Sequence, residues 1–157
     1  MEAQSQLSNI IGTKLLKNVD GKVTSISFND FMSEFQKQGK FVCFYFGAHW
    51  APPCRLFTKT LETRFYNEVN SDSKQVEVIF VSDDREEDHF ERNFLKMPWL
   101  AVPFDDDHRK QTLKSRFGVH EIPTLVVVSP ETGEVITHDG RDQIQAGKDT
   151  LQSWMES

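Results

Sequence analysis

Cys54 stands in the stretch Trp50-Ala-Pro-Pro-Cys-Arg55, directly after the apolar run Phe41 to Phe46. This order reads as a buried strand turning into a helix, with a thiol in the first helical turn. Sulfur at a helix N-terminus is chemically pointed, because free N–H groups and the positive end of the helix dipole favour thiolate. One more cysteine, at Ala51, would complete a thiol–disulfide exchange pair, but position 51 carries a methyl group. The stretch therefore poses a question: thiol chemistry, or the architecture of a thiol enzyme without its nucleophile. The other cysteine, Cys43, lies mid-strand and reads as a small hydrophobe. Two cysteines are too few for a disulfide scaffold, and a Cys43 to Cys54 bridge stays open, since bonding depends on Cα separation and direction.

Several other residues bear chemistry with less force. His49 is a titratable group beside the turn, read as a solvated loop histidine rather than a tuner of a neighbouring thiol. Arg55 opposes the dipole at a helix start, so its presence needs another reason, and contact with an acidic partner group is one. Trp50 offers an apolar contact to partners and shields the turn, while Trp99 reads as structural. The run Asp105-Asp-Asp-His108 resembles a metal cluster, but consecutive residues at a helix start cannot all converge, so capping is the better reading and no metal is expected. Asp83 to Asp88 reads as a capped, solvated helix start, with a docking patch for a basic partner as the alternative. His120 lies near enough to Pro123 in sequence to contact a bound substrate.

Elements able to position these residues follow from pattern. Lys14 to Ser27 holds two extended pieces around Asp20-Gly21, a hairpin turn pair. Asn29 or Asp30 can cap a helix with Phe31, Met32 and Phe35 on one face, ended at Gly39. Phe41 to Phe46 lacks alternation and fits a strand covered on both faces. Pro52-Pro53 suit a helix start, and Phe57, Leu61, Phe65 and Val69 form its apolar stripe to about Asn70. Val76 to Val81 is a second buried strand; Ser82-Asp83-Asp84 can cap a helix bearing Phe90, Phe94 and Met97, ended by Pro98. Trp99 to Phe104 is extended, Asp106 to Phe117 a helix stopped by Gly118, and Thr124 to Val128 with Glu134 to Thr137 an antiparallel hairpin. A helix over Lys148 to Met155 closes the chain. Parallel βαβ units followed by a hairpin argue for an α/β fold, a mixed sheet covered by helices.

Length and charge bound the function. A chain of 157 residues with 13 Phe suits one domain, 1–157, with one sizeable core. A formal charge of -6 disfavours nucleic acid and anionic membrane, which associate through clustered Lys and Arg. The polar stretch Met1 to Asn9 lacks the pattern of a signal peptide, and no apolar run is long enough to span a bilayer. A cytoplasmic, monomeric protein is the expectation.

Phe44-Tyr-Phe-Gly-Ala-His-Trp50, Pro52-Pro-Cys-Arg55, Lys96-Met-Pro-Trp-Leu-Ala-Val-Pro-Phe104 and Phe117-Gly-Val-His-Glu-Ile-Pro-Thr124 together resemble the tryparedoxin and nucleoredoxin branch of the thioredoxin superfamily. The resemblance spans nearly the whole chain, and Met97 to Phe104 separates this branch from ordinary thioredoxins. It implies a thioredoxin fold, a central mixed β-sheet flanked by helices with an N-terminal β-hairpin extension, and a cis peptide between Ile122 and Pro123 beside the redox turn. It implies reduction of protein disulfides with no cofactor, a protein or small-thiol redox partner, and a binding rim of Trp50, Pro52, Pro53, Arg55, Ile122 and Pro123. Tyr45 stands where ordinary thioredoxins keep a buried acid, and tyrosine there is similar to this branch.

Carried over residue by residue, the family pattern places Ala51 at the attacking position and Cys54 at the resolving one, with nothing to resolve. Three readings compete. Ala51 is an engineered substitution in a dithiol oxidoreductase; or the chain is naturally a redox-inactive binding module using the groove by Trp50 and Pro123; or Cys54 acts alone in a mixed disulfide. The last is weakest, because this second position is usually shielded and a buried thiol stays protonated.

Overall fold

The computed structural model describes residues 9–35 and 37–157; of Met1 to Asn9, the stretch without a signal-peptide pattern, residues 1–8 lie outside them. A hairpin comes first, strands β1 (Lys14–Val19) and β2 (Lys22–Ser27). Asp20 and Gly21 both have positive φ, 53° and 81°, the backbone that a tight hairpin turn demands. Helix α1 (Phe28–Phe35) follows at once. Its cap corrects the sequence reading: the helix begins before Asn29, and Ser27 Oγ accepts from Asn29 N at 3.1 Å and Asp30 N at 3.3 Å.

Strand β3 (Phe41–Gly47) is interior to a seven-stranded sheet of order β2-β1-β5-β4-β3-β6-β7, where β4 is Val76–Ser82, β5 Leu100–Ala101, β6 Thr124–Val128 and β7 Val135–Thr137. It pairs parallel with β4 and antiparallel with β6. Both faces of β3 are buried. Phe41, Cys43 and Tyr45 meet the helix following β3, α3 (Glu87–Phe94) and the last helix α6 (Lys148–Met155), while Val42, Phe44 and Phe46 meet α1 and α4 (Asp107–Phe117). This explains the missing alternation of the sequence. Gly118 ends α4 in the left-handed conformation, φ 62°. A short helix α5 (Gly140–Gln143) and a 3₁₀ turn (Ile144–Ala146), neither read from the sequence, lead into α6.

The helix after β3, α2 (Pro52–Thr60), runs on through a π-helical segment (Leu61–Tyr66) to Val69. The sequence stripe explains the widening. Apolar residues every four positions drift by about 40° per step on a helix of 3.6 residues per turn. A wider turn keeps Leu61, Phe65 and Val69 all in the core. No described helix is long and apolar enough to cross a membrane.

Phe65 is 0% exposed and its ring lies 5.2 Å from that of Trp154, whereas Leu56 on the same helix is 72% exposed. Urea unfolding should show Phe65→Ala destabilised by about 3–5 kcal/mol. Leu56→Ala should stay within about 0.5 kcal/mol of the parent. Equal effects of the two would contradict this packing.

Candidate functional site

The end of β3 and the end of β4 lie side by side, Gly47 opposite Ser82, and the loops that leave them are tied together. Asp83 N donates to Gly47 O at 2.8 Å. Asp84, 6% exposed, accepts from His49 N at 2.7 Å through one carboxylate oxygen and from Ser82 Oγ at 2.6 Å through the other. Asp84 therefore does not cap the next helix, as its sequence position suggested; α3 starts at Glu87, after Glu86, with no side-chain cap. Trp50 Nε1 donates to Asp83 O at 3.2 Å, and the Asp83 carboxylate is held by Lys114 Nζ at 2.7 Å. The indole stays 49% exposed, with the Arg85 guanidinium 5.5 Å from its ring.

Ala51 forms the N-cap of α2 in extended conformation and is 7% exposed. Its carbonyl accepts from Cys54 N at 2.9 Å and Arg55 N at 3.3 Å, while Pro52 and Pro53 bring no N–H to this turn. Pro52, Pro53 and Arg55 are exposed. Arg55 has a structural reason for its place: Nη1 donates to His49 O at 3.0 Å and clamps the loop onto the helix. His49 departs from a solvated loop residue, for it is half-buried and its ring lies 4.9 Å from that of His89 on α3.

Cys54 is 1% exposed. Burial pushes its thiol above the ordinary value, the nearby Asp83 and Asp84 charges add to this, and the Ala48 backbone and Arg141 oppose it. Beneath it the Tyr45 hydroxyl meets Cys54 O at 2.9 Å and Thr58 Oγ1 at 2.7 Å. Burial keeps that phenol protonated, its pKa pushed up. Gly47 accommodates this arrangement, since a Cβ there would lie 2.7 Å from the Tyr45 ring. Cys43 and Cys54 are both free thiols, and Cys43 is fully buried with its pKa driven up by burial and then by Glu77.

The Ile122–Pro123 peptide is cis. Thr124 pairs with Phe46, so Pro123 lies at the sheet end from which the Ala48 to Ala51 loop departs. Pro123 is buried and Ile122 half-buried, and Arg141 Nη1 approaches Pro123 O at 3.5 Å. Ser82, Asp84, Thr58, Lys114 and Arg141 escaped the sequence reading as site residues. Only the first two carried a signal there, as polar residues closing an apolar strand.

Asp106 accepts from Arg109 N at 3.0 Å as the cap of α4, so the Asp105 to His108 run is used in helix initiation. Glu86, Asp88 and His89 hold ligand atoms within 4.8 Å of one another, but Asp88 is paired with Arg92 at 3.2 Å and both acids are exposed at the start of α3.

Residues 39–135 match the family described as Thioredoxin-like. Nucleoredoxin from Bos taurus is 45% identical over 112 residues, 71% of this chain and 25% of that protein. The chain thus spans about a quarter of the length of the nucleoredoxins it matches. Tryparedoxin from Trypanosoma brucei brucei is 38% identical over 130 residues, 83% of this chain and 89% of that protein. A structure of tryparedoxin II complexed with glutathionylspermidine superposes with a TM-score of 0.76 at 34% identity, covering 91% of this chain and 93% of that one. The sheet order, the loops joined at the ends of β3 and β4, and these likenesses make the chain a member of the thioredoxin-like family, in its tryparedoxin and nucleoredoxin branch.

Proposed function

We propose that the chain is a thiol–disulfide oxidoreductase domain whose dithiol turnover is arrested because Ala51 occupies the position of the attacking cysteine. The observation that supports this most is the order of positions 51 and 54 along α2. Position 51 is the N-cap, 7% exposed; Cys54 lies one turn further in, 1% exposed. In the full reaction a thiolate at the outer position attacks one sulfur of a partner disulfide, forming a mixed disulfide and releasing the partner's other sulfur as thiolate. The inner thiol then gives up its proton and attacks the outer sulfur, expelling the partner's second thiolate. Two electrons reach the partner and the site ends as a disulfide. With Ala51 the first bond cannot form, and Cys54 has nothing to resolve.

Trp50, Pro52, Pro53, Arg55, Ile122 and Pro123 form the rim on which a protein disulfide or a small thiol would rest. The exposure of Trp50, Pro52, Pro53 and Arg55 supports that role. Two free thiols in the folded chain fit a reducing setting such as the cytoplasm. A second reading, a redox-inactive module that binds extended peptide in the Trp50 and Pro123 groove, draws on one observation. Trp50 is fixed at Nε1 yet half exposed, an apolar contact that needs no nucleophile.

With dithiothreitol as electron donor, the chain should reduce insulin no faster than the uncatalysed rate. Ala51→Cys should raise that rate by at least about a hundredfold, well inside the loss that follows removal of a catalytic nucleophile. Catalysis by the unaltered chain would overturn the arrest, and a folded but inactive Ala51→Cys variant would transfer the weight to the binding module.

The thiols themselves give a second test. Thiolate is the reactive form, so a raised pKa leaves Cys54 less ionised at neutral pH, and its labelling should climb with pH. Iodoacetamide at neutral pH should label native Cys54 at least about tenfold more slowly than a free thiol, with both cysteines reacting once the chain is unfolded. Rapid labelling of native Cys54 would instead favour capture of partners by that thiol alone.

A further inference from the structure

Beside the redox turn, between α2 and α3, lies a cleft of about 470 Å³. One wall carries Arg55 and Lys59 from α2; the other carries Arg92 from α3 and Lys96 just past its end. Four cationic side chains thus line it, of which Arg92 is paired with Asp88 at 3.2 Å, against one lining carboxylate, Glu62, in a chain whose net charge is -6. Among the described residues no carboxylate approaches Lys59 or Lys96 within 4.0 Å. Arg55 spends one nitrogen on His49 O and keeps its other donors, and the rings of His49 and His89, 4.9 Å apart and tilted by 57°, join the cleft to the loop before Trp50.

We propose that this cleft docks an acidic, extended segment of the protein partner whose disulfide faces the turn. The inference rests on the redox reading and adds the chemistry of its partner. Unpaired lysines gathered on a net acidic protein create a local field that steers carboxylates, raising encounter rates and fixing orientation. Spacing and width suit an extended chain, for a helix with its side chains is about 10–12 Å across, wide for a cleft of this volume between two helices. Arg55 and Lys59 stand about 6 Å apart along the helix axis. Alternate side chains of an extended peptide are about 6.8 Å apart, so acids at every second position meet successive cations of one wall. The cleft reaches Arg55 and His49, which flank the turn in the chain, so a segment lying in it comes up beside the turn.

The test is fluorescence anisotropy with a labelled peptide of alternating Glu and Ser, its Gln and Ser counterpart, and free glutamate as competitor. The Glu peptide should bind, the Gln peptide should not, and affinity should fall steeply between about 0.05 and about 0.5 M salt. Lys59→Glu with Lys96→Glu should weaken binding by at least about tenfold, and the milder pair Lys59→Gln with Lys96→Gln by a smaller factor in the same direction. Lys14→Glu with Lys148→Glu, the same charge change on exposed residues outside the cleft, should leave binding unchanged. Equal loss in both reversal pairs, no binding of the Glu peptide, or displacement by free glutamate at equal carboxylate concentration would overturn the proposal. The redox reading is judged separately, by reduction of the uncharged bis(2-hydroxyethyl) disulfide by Ala51→Cys, so each can fail alone.

Discussion

Both oxygens of one buried carboxylate set the shape of the site. Asp84 follows β4, is almost wholly excluded from water, and divides itself between the backbone of His49 and the hydroxyl of Ser82. Removing a carboxylate from water costs several kcal/mol unless hydrogen bonds replace the lost hydration, so such a group tolerates little movement of its partners. The loop from Ala48 to Ala51 is therefore tied to the neighbouring parallel strand at its midpoint. Trp50, held by Asp83 O, and Arg55, folded back on His49 O, extend the same restraint to either side.

From this restraint follows the unequal character of positions 51 and 54. The chain enters α2 at Ala51 with two prolines that contribute no N–H, and the first available donors, Cys54 and Arg55, already serve Ala51 O. One turn inward, Tyr45 and Thr58 close around the Cys54 carbonyl from below. Position 51 thus stands at the start of the helix and Cys54 one turn within it, beneath the loop. On the reading proposed above, Ala51 leaves these supporting contacts in place and takes away only the attacking sulfur.

Much of this was legible in the sequence, for identifiable reasons. The unbroken apolar run of β3 announced burial on both faces, and Pro52-Pro53 announced the helix start. The Phe57 to Val69 stripe announced the face that helix buries. What stayed hidden depends on pairing between distant segments. Ser82, Asp83 and Asp84 look like capping residues locally, and only the parallel register of β3 with β4 reveals Asp84 as a grip on His49. Ser27 won the cap of α1 over Asn29 because the strand ends one residue before the helix begins. The π-helical widening was implicit in the four-residue interval but needed the core to demand it. Neither the contact of His49 with His89 nor the approach of Arg141 to Pro123 has any signature in spacing.

On the proposed reading, the turn lacks one sulfur atom and is otherwise in working order. The most direct test of that reading is the titration of the thiol installed by Ala51→Cys, followed by thiolate absorbance in the ultraviolet. Cys43 and Cys54, both raised by burial, do not compete for the signal at lower pH. A thiol at the N-terminus of an intact α2 should ionise below about pH 7.5. Ionisation at or above the ordinary thiol value, about 8.5, would contradict the claim that the site is otherwise whole.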